Sequence, residues 1–222
     1  MDGNGRWAKK RGLPRSVGHS AGAESLKKII KEANKLGIEY VTVYAFSTEN
    51  WKRPADEVEY LMSLLLDYLK NAEKTLAGDN TVIRVIGSRA ELSEEIREQI
   101  VKTEKLTENN TGTVLNIALN YGGREEITNA VKDICADVKS GSLDIDTVDE
   151  NTVGDRLYTK GQPDVDLLIR TSGEMRLSNF MLWQVSYAEM WFTDKLWPDF
   201  KPDDFRRAVT DFCQRGRRFG GI

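Results

Sequence analysis

The stretch TVLNIALNYGGR, residues 113–124, decides the fold class. Its first part, TVLNIAL (113–119), is aliphatic and β-branched and reads as a strand. NYGGR (120–124) then turns the chain, and Ile127, Ala130, Val131, Ile134 and Val138 recur at helical spacing directly after it. A strand passing through a glycine turn into an amphipathic helix is the repeating half of an α/β sheet. The alternation extends both ways. Upstream, Leu26, Ile29, Ile30, Ala33 and Leu36 mark a helix closed by Gly37, and IEYVTVYAF (38–46) reads as a strand. A helix follows from Pro54 to Ala77. VIRVIG (82–87) is a short strand, and SEEIREQIVKTEKL (93–106) a charged helix with a Ser start signal. Downstream, VDLLIR (165–170) is a buried-type strand. The segment up to YAEMWF predicts a further helix and a last strand, and a final helix runs from about Asp203 to Gly216. With no linker, repeat or low-complexity tract, this is one α/β domain over 1–222, with a largely parallel central sheet flanked by helices.

Composition narrows the classes. Lys and Arg number 32 against 35 Asp and Glu, a net charge of −3, so no basic excess points to nucleic acid as a partner. A single histidine, His19, rules out metal sites built on several histidines. Cys135 and Cys213 form no CxxC pair, which fits a reducing compartment. No secretory leader pattern and no bilayer-length apolar run are seen, so a cytoplasmic location is expected.

In open α/β sheets, ligands gather beyond the carboxyl ends of the strands. Ser47 to Arg53, NYGGR, and RTSGEMRLSN (170–179) all follow strands on that edge. MDGNGRW (1–7) has the composition of a further such loop: Gly3 and Gly5 for close backbone approach, Arg6 for charge, Asp2 for a metal or proton. Arg6, Arg15 and His19, with Gly18-His19-Ser20-Ala21-Gly22 read at a helix N-terminus, offer donors to an anion; the alternative is a solvated basic turn. Donors spread so widely suit a pyrophosphate better than a single phosphate. Arg170, Arg176 and Ser178 make a second anion cluster, unless Ser178 only caps a helix running into LWQ. Asp2 and Glu189 are carboxylates of the kind Mg²⁺ takes beside phosphate oxygens and water, though Glu189 equally reads as an exposed strand or helix residue. Trp51, after Asn50, either walls a pocket or packs down its loop. The helix from Pro54 carries an unusually wide apolar stripe, adding Leu64, Tyr68, Ala72 and Leu76 to the regular positions; it is core or the wall of an apolar channel beside the sheet.

Six segments in order, MDGNGRWAKKRGLPRSVGHSAGAES, YAFSTENWKRP, LNIALNYGGREEI, DLLIRTSGEMRLSNFMLWQVSYAEMWF, LWPDF and RRFGG, resemble the signature segments of the cis-prenyltransferases, and most closely the bacterial undecaprenyl diphosphate synthases. The resemblance covers nearly the whole chain. It implies elongation of an allylic diphosphate such as farnesyl diphosphate by isopentenyl diphosphate, with cis double bonds and Mg²⁺, undecaprenyl diphosphate being the first product expected. Short- or medium-chain synthases share these motifs. A non-catalytic subunit of a heteromeric prenyltransferase, or a phosphohydrolase with Asp2 as nucleophile, are the other readings.

By the same resemblance, Asp2 is the key acid and a metal ligand. Gly3, Asn4, Gly5, Arg6, Trp7, Arg15 and His19 lie at the allylic diphosphate, and Arg170, Arg176, Leu177 and Ser178 at isopentenyl diphosphate. Asn50 assists proton loss, with Ser47, Thr48, Glu49, Trp51 and Arg53 beside it. Glu189 is a metal ligand serving a neighbouring subunit's site in a homodimer, toward which the RRFGG tail reaches. Product release implies contact with a membrane surface. The chain departs from the family pattern twice. The apolar strand expected before MDGNGRW is not in the numbered chain, and Met175, a poor Mg²⁺ ligand, stands where some members carry histidine.

Overall fold

The structure, a computed structural model, describes residues 1–71 and 80–216. Strand β3 (Val114–Tyr121) sits at the centre of a parallel three-stranded sheet, between β1 (Tyr40–Ser47) and β2 (Val82–Ile86). Every residue of β3 from Leu115 to Tyr121 is buried, as a strand covered on both faces must be. Its two polar residues are satisfied. Asn116 donates to Thr42 Oγ1 (3.1 Å) and Gln162 Oε1 (2.7 Å), while Asn120 accepts from the Trp51 indole (2.8 Å) and donates to the Ser88 carbonyl (3.1 Å).

Helices cover this sheet in sequence: α1 (Asn4–Lys10), α2 (Arg15–Lys35), α3 (Ala55–Lys70), α4 (Glu94–Thr107), α5 (Gly123–Ser140), α6 (Glu150–Gly154) and α7 (Pro202–Cys213). Side chains of α4 close the free edge of β2. The Val85 N–H donates to Glu104 Oε1 (2.9 Å) and the Ile83 N–H to Thr107 Oγ1 (3.0 Å), and Arg89 clamps Glu104 (2.9 Å). That edge therefore offers no open ladder. Among the described residues no helix is long and apolar enough to cross a membrane.

A second parallel pair, β4 (Leu167–Arg170) and β5 (Glu189–Phe192), lies apart from the first sheet. Among the described residues no strand pairs with the second edge of β1 or of β4, and both strands line the same cavity of about 1160 Å³. The body is held together around this gap by α2. The Trp197 indole donates to the Gly22 carbonyl (2.9 Å) and Ser25 Oγ to the Pro198 carbonyl (3.0 Å), both buried.

The alternation expected from sequence is present, with four differences. The opening stretch is a short turn followed by α1, not a loop throughout. α2 begins at Arg15, so Gly18 to Gly22 lie inside the helix, where their N–H groups serve helical bonds; their smallness instead lets Asn4 approach. The helix expected before YAEMWF is absent, because Ser178, Asn179 and Met181 take left-handed φ values of 51, 62 and 47°, which break a helical run. Ser178 is consequently not a helix cap. The expected Pro54–Ala77 helix is described to Lys70, with Ala72 and Leu76 outside the described residues, as is the RRFGG tail.

The approach of α1 to α2 yields a stability prediction. A Cβ on Gly18 would stand 2.1 Å from the Asn4 carbonyl oxygen, which is backbone and cannot swing away. Gly18→Ala is expected to destabilise by about 1–3 kcal/mol through overpacking. Gly154→Ala, with nothing within 4 Å, is expected to be neutral or slightly stabilising. Thermal unfolding of the two variants checks the contrast.

Candidate active site

The site sits at the carboxyl ends of β1, β3 and β4 and centres on Asp2. Gly3 makes this possible: its φ is +97°, and a Cβ there would stand 2.2 Å from Ser172 Oγ. The turn lets the Asp2 carbonyl accept from Ser172 Oγ (2.8 Å), the Trp197 N–H (3.0 Å) and Thr171 Oγ1 (3.2 Å). With its backbone fixed, the Asp2 carboxylate lies between two guanidinium groups. Arg6 Nη2 is 3.4 Å from Oδ1, and Arg170 Nη2 is 3.2 Å from Oδ2.

Each arginine is oriented by a further partner. Arg6 donates to the Ser172 carbonyl (3.1 Å) and pairs with Glu174 (3.1 Å). Arg170 donates to the Arg176 carbonyl (2.8 Å) and reaches Ser178 Oγ (3.3 Å), while its buried Nε has no partner among the described residues. Arg176 pairs with Glu174. The second anion cluster expected from sequence is thus assembled next to Asp2, with Ser178 facing Arg170.

A further cationic group comes from α2 and the loop after β1. Arg15, His19 and Arg53 converge on one carboxylate, that of Glu57 (3.2, 3.7 and 2.7 Å). Arg15 also lies across Gly5, where a Cβ would stand 3.1 Å from its Nε. Burial lowers the His19 pKa below the ordinary imidazole value, against the pull of Glu57.

The loop after β1 is a 3₁₀ turn over Thr48–Lys52, closed by a capping box. The Ser47 N–H donates to Asn50 Oδ1 (3.0 Å). That bond fixes the amide orientation, leaving Nδ2 as the free end of Asn50. The Trp51 indole is held by Asn120 and packs edge-on against Phe46 at 5.0 Å, so it pins its loop. Burial works to raise the Glu49 pKa, but its own backbone N–H together with Asn179, Ser47 and Thr48 outweighs this and sets it below the ordinary value.

Of the residues singled out in the sequence, Asp2, Asn4, His19, Ser47, Glu49, Asn50 and Arg53 line the cavity, as do Arg170, Arg176, Leu177 and Ser178. Gly3, Gly5, Arg6 and Arg15 do not line it, though Arg6 and Arg15 pair with Asp2 and Glu57 beside it. Thr48 packs against Gly122. Trp7 points elsewhere: its indole donates to Asp199 (2.8 Å) beneath the Arg11 guanidinium. Glu189 opens β5, does not line the cavity, and is held by Arg215 (2.8 Å). Among the described residues no group of three or more His, Cys, Asp or Glu is placed to hold a metal.

Sequence reading passed over two organising residues, Glu57 and Asn179. Glu57 lies four residues after Arg53, a spacing that pairs charges at a helix start. Asn179 bridges Glu49 (3.0 Å) to the first N–H groups of α5, accepting from Gly123 and Arg124 (2.7 and 2.8 Å). Only a left-handed asparagine after Ser178 hints at that role.

Below the polar rim the cavity is apolar. Leu61, Met62, Leu64, Leu65 and Tyr68 of α3 face it, and in that helix only Leu69 is fully buried. The wide stripe of α3 is therefore mostly channel wall. Cationic donors and the Asp2 carboxylate at the mouth of a cavity with an apolar wall can hold an amphiphile with a diphosphate head.

This combination of fold and site is that of a prenyltransferase, and comparison with known proteins agrees. A family model described as putative undecaprenyl diphosphate synthase matches residues 1–220. Isoprenyl transferases of Clostridium perfringens and Bacillus subtilis are each 53% identical over 222 residues, covering all of this chain and 88% and 85% of theirs. Lavandulyl diphosphate synthase from Lavandula x intermedia, solved with dimethylallyl diphosphate, superposes with a TM-score of 0.94 at 39% identity, over 99% of this chain and 95% of that one. A probable undecaprenyl diphosphate synthase from Campylobacter jejuni gives 0.80 at 35% identity, over 90% and 92%. The chain belongs to the undecaprenyl diphosphate synthase family of isoprenyl transferases.

The Asn50 geometry makes a prediction. Asn50→Asp keeps an acceptor for the Ser47 N–H but replaces the free amide donor with a negative charge. Activity in prenyl transfer is expected to fall about 100-fold, while the unfolding midpoint stays within about 2 °C. Asn50→Ala loses the cap and is expected to lower stability by about 1 kcal/mol as well. Steady-state kinetics beside thermal denaturation separates the two effects.

Proposed function

We propose that this protein condenses isopentenyl diphosphate with an allylic diphosphate, farnesyl diphosphate foremost, forming cis double bonds and ending at undecaprenyl diphosphate for a cell-wall lipid carrier. One observation carries the reading: two separate groups of cationic donors, one on Asp2 and one on Glu57, stand at the same cavity, whose wall along α3 is apolar. The Arg15, His19 and Arg53 group, with Asn4, suits the allylic diphosphate. Arg170, Arg176 and Ser178, with Leu177, suit isopentenyl diphosphate.

In the reaction the allylic C–O bond breaks and diphosphate leaves. The double bond of isopentenyl diphosphate attacks the freed carbon, a C–C bond forms, and one proton departs from the new unit. Donors already fixed around the leaving diphosphate stabilise the charge that develops on it. Holding two diphosphates side by side supplies the entropic share of the acceleration. Asn50, with its oxygen engaged by Ser47, acts as a donor that orients substrate; the proton goes to a diphosphate oxygen or water. The apolar wall of α3 shields the allylic cation from water. It also retains the growing tail, at about 0.8 kcal/mol for each CH₂ buried.

Mg²⁺ suits Asp2: a hard carboxylate oxygen at the cavity surface is the donor class this ion takes beside phosphate oxygens. When bound it would neutralise diphosphate charge. Glu189 would serve such an ion only in a second copy's site, in keeping with a homodimer. The outer side of β5 supports that assembly, with Tyr187 and Met190 exposed beside Glu189. We also take the unpaired edges of β1 and β4 as the seat of one further strand leading into Asp2, which would complete the single domain. The enzyme would work in the cytoplasm, touching a membrane surface to release product.

A short- or medium-chain synthase is the second reading, favoured by the superposition on lavandulyl diphosphate synthase. A non-catalytic subunit is disfavoured by the intact setting of Asp2.

Incubation with Mg²⁺, farnesyl diphosphate and radiolabelled isopentenyl diphosphate, with products weighed by mass spectrometry, tests the reading. Chains of about C55 are expected, and C10–C20 products would move the assignment to the second reading. Asp2→Ala should lower kcat by about 100-fold or more with smaller effects on binding, and chelation of Mg²⁺ should stop elongation. No elongation by folded protein, with the additional strand supplied, would refute it.

A further inference from the structure

A carboxylate among the cations of an anion site looks misplaced, and the position of Glu57 accounts for it. We propose that Glu57 is a positioning residue for the allylic diphosphate, an inference that rests on the reading above. Its carboxylate gathers Arg15, His19 and Arg53 beside the cavity, which His19 and Arg53 line, and holds them there for the diphosphate.

The geometry is specific. All three side chains, two guanidinium groups and one imidazole, approach the same oxygen, Glu57 Oε1, from three different segments: the first and second turns of α2 and the end of the 3₁₀ turn. Glu57 itself is only 10% exposed, whereas Arg15 is 63% exposed and would otherwise sample many rotamers. One negative charge shared by two guanidinium groups leaves the cluster net positive. Arg53 uses Nη1 on Glu57, and among the described residues no other side chain accepts from its guanidinium. The buried His19 Nε2 has no hydrogen bond among the described residues, and His19 lines the cavity. The cluster is ordered before any ligand arrives, so binding need not order it.

A separate strap shows that Glu57 is not needed to hold the helices. The Tyr60 hydroxyl donates to the Ser16 carbonyl (3.1 Å) and lies 3.0 Å from Ser20 Oγ, joining α3 to α2 one turn further on. Loss of Glu57 frees side chains but leaves the backbones tied.

Kinetics of Glu57→Ala, Arg53→Met and the double variant test this. Glu57→Ala is expected to raise KM for the allylic diphosphate about tenfold, with KM for isopentenyl diphosphate and kcat within about threefold. In the Arg53→Met background the same change should cost clearly less, about threefold, because the share that runs through Arg53 is already lost while Arg15 and His19 still lose their common partner. Equal effects on both KM values, no effect on the allylic KM, or full additivity would overturn the inference while leaving the prenyl-transfer reading intact. Calorimetric binding of inorganic pyrophosphate separates the two. If the wild-type chain binds it yet elongates nothing, that reading fails. Affinity about tenfold weaker in Glu57→Ala then still supports the role of Glu57, and unchanged affinity overturns it.

Discussion

Three donors converge on the carbonyl oxygen of Asp2, and the rest of the site depends on them. Ser172 and Thr171 come from the end of β4, and the Trp197 N–H from the segment before α7. The first sheet and the β4–β5 pair share no strand ladder. Several bonds join them at the site: this carbonyl holds Asp2 to the β4 side, the neighbouring Met1 amino group donates to the Tyr44 carbonyl of β1 (3.4 Å), and Asn179 bridges Glu49 to the start of α5. Gly3 is the enabling residue, since any side chain there would collide with Ser172 and Leu196. If the carbonyl were released, the Asp2 carboxylate would lose its register with Arg170.

Every strongly cationic side chain at the cavity shares a carboxylate or carbonyl with a neighbour. Asp2 lies between Arg6 and Arg170, Glu174 between Arg6 and Arg176, and Glu57 among Arg15, His19 and Arg53. Exposed ion pairs of this kind contribute little stability individually. Their value here is geometric. A guanidinium held at one corner keeps its other N–H groups aimed, and an anion that enters meets donors needing little rearrangement.

The fold class was legible because strand and helix periods differ so plainly. β3 and α5 read directly from TVLNIAL and the Ile127 to Val138 spacing. Asp2, Arg170, Arg176 and Ser178 were legible as chemistry because arginines and small residues cluster after strands. What escaped were features set by backbone handedness and by long-range pairing. Left-handed Ser178, Asn179 and Met181 replaced an expected helix with turns, and their φ values follow from tertiary bonds such as the Gly123 N–H to the Asn179 carbonyl. The glycines of α2 read as a helix start, yet they answer to Asn4, which packs against them from another helix. Glu57 looked like an ordinary first-turn acid because its partners Arg15 and His19 lie some forty residues away. Trp7 shows the converse: it shares a motif with Asp2 but serves Asp199, on the outer side of α1.

The helix α3 resolves the choice between core and channel that periodicity left open. An apolar stripe as wide as its own exceeds what one packed partner can cover, and only Leu69 is fully buried. Leu61, Met62, Leu65 and Tyr68 pack against the core on one side and line the cavity on the other, where they forgo part of the dispersion contacts that a closed core would supply. β1 cannot move to close the gap, because its register with β3 fixes it. Nor can α2, which Trp197 and Ser25 tie to the segment before α7. One helix therefore carries both the polar mouth of the cavity and its apolar wall. Glu57 stands in its first turn among the cations, and Tyr68 in its last among the aliphatic side chains, roughly 16 Å further along at 1.5 Å per residue. In the proposed reaction a polar head bound at the first sends its tail toward the second, and chain growth runs along the axis of α3.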